Sequence, residues 1–113
     1  MNEIDPTTCM IVLSNLPDRP SADILAAALV QRQAAACVNV LAPCKSVYRW
    51  KGAIEQTEET PVLIKTTVDR YSDVERIIRE LHPYELPEIV AFNLSEGLPA
   101  YLQWLVAETR SEQ

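Results

Sequence analysis

The sequence predicts an α+β sandwich, with helices packed on one face of an antiparallel sheet. Two stretches with a 3.6-residue apolar period alternate with short β-branched runs. Their order along the chain is β-α-β-β-α-β, followed by a last helix. The two middle strands meet at Lys51-Gly52 and are longer than the others, which predicts a hairpin reaching beyond the sheet.

Each element has a local reason. The run TCMIVL, residues 8–13, is short, apolar and β-branched, as a covered strand should be. Pro17, Asp18 and Pro20 break it. Asp18 or Ser21 then caps a helix whose positions Ile24, Leu25, Ala28 and Leu29 share one face, and which runs to Ala34. Residues 37–40 and 46–50 read as one long strand interrupted near Pro43, since proline lacks the donor a ladder needs. The chain returns through residues 54–59 and 62–68, with a kink expected at Pro61. A second helix over 70–81 places Tyr71, Val74, Ile78 and Leu81 on one stripe, and Pro83 stops it. EIVAFNL, residues 88–94, is the fourth strand. Gly97 and Pro99 introduce a final helix carrying Tyr101, Leu102, Leu105 and Val106.

This order is the split βαβ, or ferredoxin-like, arrangement, and it predicts a single domain over residues 1–113. Two helices cover only one sheet face, so the other meets solvent or another subunit. The projecting hairpin carries Val47, Tyr48, Trp50 and Ile54, large apolar groups that a lone domain leaves wet. Association with other copies would cover them; the alternative is that the last helix folds over them.

Composition narrows the function classes. Hydrophobic residues form 48% of the 113 and charged residues 23%, ordinary globular usage. Sixteen acidic against ten basic side chains give a formal charge of −6, which repels phosphate backbones, so no nucleic-acid partner is expected. No apolar run approaches the roughly 20 residues of a membrane span, and the N-terminus MNEIDPTTCM lacks a leader pattern. A cytoplasmic location is expected. Cys9, Cys37 and Cys44 have no CxxC spacing, which suits reduced thiols packed as small core residues.

The segments AACVNV (35–40), SVYRWKG (46–52), LIKTT (63–67) and HPYELPEI (82–89), with YLQW near the C-terminus, resemble the CutA divalent-cation tolerance family. The resemblance spans nearly the whole chain. It implies a ferredoxin-like subunit in a tight homotrimer, with long hairpins extending sheets between neighbours. It also implies a role in the response to copper and other divalent metals. In metal-binding relatives the resemblance places a cysteine at the end of the first strand and adjacent histidines at the end of the second helix. The matching positions here are Ser14, Leu81 and His82, so of the imidazole and thiolate donors that copper and zinc prefer, only His82 remains. Copper or another divalent metal is the one cofactor expected, held weakly by His82 with Glu85, Glu88 or a neighbour's group.

A second candidate site is a pocket or interface built from Tyr48, Trp50, Lys65, Tyr84, Glu85, Glu88, Tyr101 and Trp104 together with His82. Aromatic walls with a few convergent polar groups characterise ligand sites. No catalytic residue is assigned. Glu85 and Glu88 are a conceivable carboxylate pair, but the chain holds no nucleophile elbow or zinc-protease helix, and its two glycines, Gly52 and Gly97, make no phosphate-binding loop. The functional expectation is a non-enzymatic homotrimer in metal-ion response. The alternatives are a small-ligand signalling trimer resembling nitrogen-regulatory trimers and a structural partner for a membrane or redox protein.

Overall fold

The structure, a computed structural model, describes residues 5–110. Its strands are β1 (Cys9–Leu16), β2 (Cys37–Val40), β3 (Cys44–Trp50), β4 (Ala53–Thr67) and β5 (Val90–Asn93). Its helices are α1 (Arg19–Gln31), α2 (Tyr71–Leu81) and α3 (Pro99–Glu108). The sheet order is β2-β4-β1-β5, with β3 also paired to β4, and every pairing is antiparallel. No helix of the described residues is long and apolar enough to cross a membrane.

The two-residue period of the strands sorts the faces. Met10, Val12 and Leu16 of β1 and Val62 and Ile64 of β4 are buried against Ala22, Leu25 and Leu29 of α1 and Val74, Ile77 and Ile78 of α2. Each large aliphatic side chain so buried contributes about 1.5–3 kcal/mol. Ile24, expected on the inner stripe of α1, is 63% exposed, because the helix is turned so that Ala22 faces the sheet instead.

β1 runs three residues past the expected end, since Ser14, Asn15 and Leu16 continue the ladder opposite Val62, Pro61 and Thr60. β5 is shorter than expected: Glu88 turns to hydrogen-bond Asn15, and pairing begins at Val90 opposite Leu13. The kink expected at Pro61 is absent, and β4 is one strand of 15 residues. The Pro61 carbonyl accepts from the Leu41 N–H at 2.9 Å. A residue's N and O point to the same side of a strand, so the missing donor of Pro61 falls in the gap between β2 and β3. No ladder bond is lost there.

At the hairpin tip Lys51 and Gly52 have φ of 49° and 82°, the type I′ geometry that matches strand twist. α3 packs on β4 and β1, across the face opposite α1 and α2, with Leu105 buried. It does not fold over the hairpin. Val47, Tyr48, Trp50 and Ile54 stay exposed, and so do Val90 and Phe92, which with Ile11, Leu13 and Leu63 form an apolar strip on α3's side of the sheet. Of the cysteines expected in the core, Cys9 is buried, Cys37 is half-buried and Cys44 is exposed, because β3 has left the covered part of the sheet.

Asp18 caps α1 by accepting the Ser21 N–H at 2.9 Å, a bond that holds its carboxyl below the usual range. Two outcomes follow for unfolding experiments. Ile64→Ala lowers the unfolding free energy by about 2–5 kcal/mol in urea titrations, the cost of a truncated core aliphatic. Asp18→Ala lowers the denaturation midpoint at neutral pH. Because the folded pKa is depressed, that deficit persists above the unfolded carboxylate value and fades as pH falls through the folded one.

Candidate functional site

The end of α2 is pinned to the end of β1 by one histidine. His82 takes an extended backbone (φ −80°, ψ 131°) ahead of Pro83, which disfavours helix in the residue before it. Its N–H closes α2 on the Ile78 carbonyl at 2.7 Å. Its ring is buried, with Nδ1 accepting the Tyr84 N–H at 3.1 Å and Nε2 bonded to the Asn15 carbonyl at 2.6 Å. A carbonyl only accepts and a backbone N–H only donates, so the proton sits on Nε2. Both ring nitrogens are taken.

This clamp holds residues 83–88 beside the base of the β3–β4 hairpin and opens a cleft of about 750 Å³ between them. Tyr48 and Trp50 come from β3, Glu59 from β4, and Tyr84, Glu85 and Glu88 from the segment after His82. Tyr48 is held by its hydroxyl against Thr57 Oγ1 at 2.9 Å, and Glu88 accepts the Asn15 side-chain N–H at 2.8 Å. The Tyr84 ring lies 4.8 Å from that of His82. Burial, and then the nearby Glu59 carboxylate, push the Tyr84 phenol above its usual pKa. Glu59 is only 9% exposed.

The residues singled out in the sequence divide into two groups. Tyr48, Trp50, Tyr84, Glu85 and Glu88 line the cleft, with His82 behind Tyr84. Lys65, Tyr101 and Trp104 sit further along the sheet: Lys65 Nζ is 3.3 Å from the Tyr101 hydroxyl, whose ring is 5.4 Å from that of Trp104. Sequence reasoning missed Asn15 and Glu59. Glu59 stands six positions before Lys65, an even spacing that puts both on one face of β4 but does not mark the acid as buried or as part of the cleft.

A copper or zinc site does not fit these residues within one chain. Ser14 is fully buried and its hydroxyl has no partner; Leu81 packs on the core; His82 has no free nitrogen. Among the described residues no three His, Cys, Asp or Glu side chains converge as ligands.

An antiparallel sheet with two helices on one face, a third on the other, a long hairpin and a cleft beside it define a small mixed α/β protein. The sequence model of the CutA1 divalent ion tolerance protein family matches residues 10–108, and the chain belongs to that family. It is 39% identical over 99 residues to the divalent-cation tolerance protein CutA of Thermus thermophilus, covering 88% of this chain and 96% of that one. A crystal structure of CutA from Xylella fastidiosa superposes with a TM-score of 0.89 at 43% identity, covering 91% of this chain and 99% of the other. A Xenopus laevis CutA homolog is 38% identical over 79% of this chain, which spans 59% of the frog protein's length.

The unpartnered Ser14 hydroxyl predicts its own removal. A buried polar group without a hydrogen bond costs about 1–3 kcal/mol, so Ser14→Ala stabilises the fold by about 1 kcal/mol in urea unfolding. Unchanged or lower stability would show that the hydroxyl is bonded.

Proposed function

We propose that the chain is a ferredoxin-like subunit of a homotrimer that takes part in the divalent-cation response of its family, without catalytic activity. The apolar strip of Ile11, Leu13, Leu63, Val90 and Phe92 carries this reading. Val90 and Phe92 are 49% and 51% exposed, on a sheet face that α3 covers only at its far end. Exposed apolar patches of this kind mark interaction surfaces. A closed ring of identical subunits uses the same surface on every copy, and the hairpin strands add backbone edges for pairing between them. The strand order β2-β4-β1-β5 supports the ferredoxin-like topology. Free thiols at Cys37 and Cys44 suit the reducing cytoplasm.

Divalent metal binds weakly in this account. A copper or zinc ion reaches His82 only when Nε2 gives up the Asn15 carbonyl, and since Glu85 and Glu88 do not converge with it, the remaining ligands come from a neighbouring subunit. The cleft favours a second reading, a trimer that senses a small ligand, because aromatic walls and carboxylates converge there.

Light scattering on the tag-free protein at micromolar concentration returns three times the 12.7 kDa chain mass. A monomer mass would refute the assembly. Calorimetric titration of Cu(II) and Zn(II) into chelator-washed protein gives weak heats that His82→Ala removes. Tight binding, or binding indifferent to His82→Ala, would refute the metal assignment.

A further inference from the structure

We infer that the cleft between the β3–β4 hairpin and residues 83–88 binds a small organic ammonium compound of the aliphatic polyamine class. This rests on the ligand-sensing reading of the cleft and names the chemistry of the ligand. The charged side chains of the lining are Glu59, Glu85 and Glu88, with no lysine or arginine among them. Glu59 is about nine-tenths buried, faces the cleft and has no ion-pair partner among the described residues; its neighbour is the Tyr84 phenol, which is neutral at physiological pH and close enough to hydrogen-bond it, so no charge offsets that of the carboxylate. A recessed carboxylate with no counter-charge beside it favours a cation in the cleft.

The rings decide what kind of cation. Tyr48, Trp50 and Tyr84 offer faces that attract ammonium groups within about 6 Å. The Lys51 ammonium already lies 5.7 Å from the Trp50 ring centroid, so this indole takes a cation in the structure itself. A bare divalent ion fits less well. It needs several oxygens at one point, whereas Glu88 is held by Asn15 and no three acidic side chains converge among the described residues. Carboxylates on both sides of the cleft, with the apolar side chains of Val47 and Leu86 in the same lining, match ammonium groups spaced along a methylene chain. The volume of about 750 Å³ is that of a small-molecule site.

Calorimetric titration of spermidine into the tag-free protein tests this, with Glu59→Gln and Glu85→Gln beside the parent. Saturable binding is expected, weakened about tenfold or more by Glu59→Gln, the loss of a charged contact. The exposed Glu85→Gln gives a smaller loss, about two- to fivefold. Magnesium chloride at matched ionic strength leaves the affinity unchanged. Absence of saturable binding overturns the inference, and so does displacement by magnesium, which marks a plain acidic surface. If Glu59→Gln fails to fold by circular dichroism, Glu85→Gln and the magnesium competition decide. Thermal stabilisation by a neutral or anionic metabolite, with none by spermidine, overturns the cation assignment and keeps the cleft as a ligand site. The mass and copper titrations are read independently of both.

Discussion

The pairing of β4 with three other strands is the constraint on which the rest of the structure depends. Its 15 residues run opposite β1 over their C-terminal half, opposite β2 over residues 62–65 and opposite β3 over residues 53–59. One strand therefore belongs both to the covered sheet and to the projecting hairpin. Val62 and Ile64 supply the centre of the core, while Glu59 supplies the wall of the cleft. Pro61 stands at the junction without breaking the strand, because its missing N–H falls in the gap between β2 and β3, where only its carbonyl is engaged, by the Leu41 N–H. A slip of one residue in this register would turn Val62 and Ile64 outward and Leu63 and Lys65 into the core.

The second constraint is His82. A residue at a helix end before proline has few backbone options, and here its ring spans from the last turn of α2 to the carbonyl of Asn15. That bond fixes where residues 83–88 lie and so where the second wall of the cleft stands. It also occupies the nitrogen a metal would use. The same side chain cannot brace the cleft and ligate an ion at once, which is why the metal role proposed for it is weak.

Much of the architecture was legible because its signals are local. The short apolar, β-branched runs TCMIVL and VLIKTTV, the Lys51-Gly52 turn and Pro83 after α2 each act within a few residues. What was not legible depends on distant partners. The continuation of β1 to Leu16 needs Thr60, Pro61 and Val62 opposite it, and the shortening of β5 reflects the bond from Asn15 to Glu88. The exposure of Ile24 depends on how α1 rolls on the sheet. The site residues were partly legible for the same reason. Aromatics and acids in SVYRWKG and HPYELPEI stood out by type, yet only the hairpin's path separates the cleft group from Lys65, Tyr101 and Trp104. Glu59 lay unnoticed among Glu55, Glu58 and other polar residues of β4, since burial of a single acid has no sequence signature.

The central claim is that the apolar strip on α3's side of the sheet is covered by further copies of the chain. Sedimentation velocity of Phe92→Asp beside the parent protein tests it most directly, because Phe92 lies half-exposed in that strip and outside the core formed with α1 and α2. The account predicts a trimeric parent and a variant that sediments as a folded monomer. A variant that sediments with the parent would contradict it.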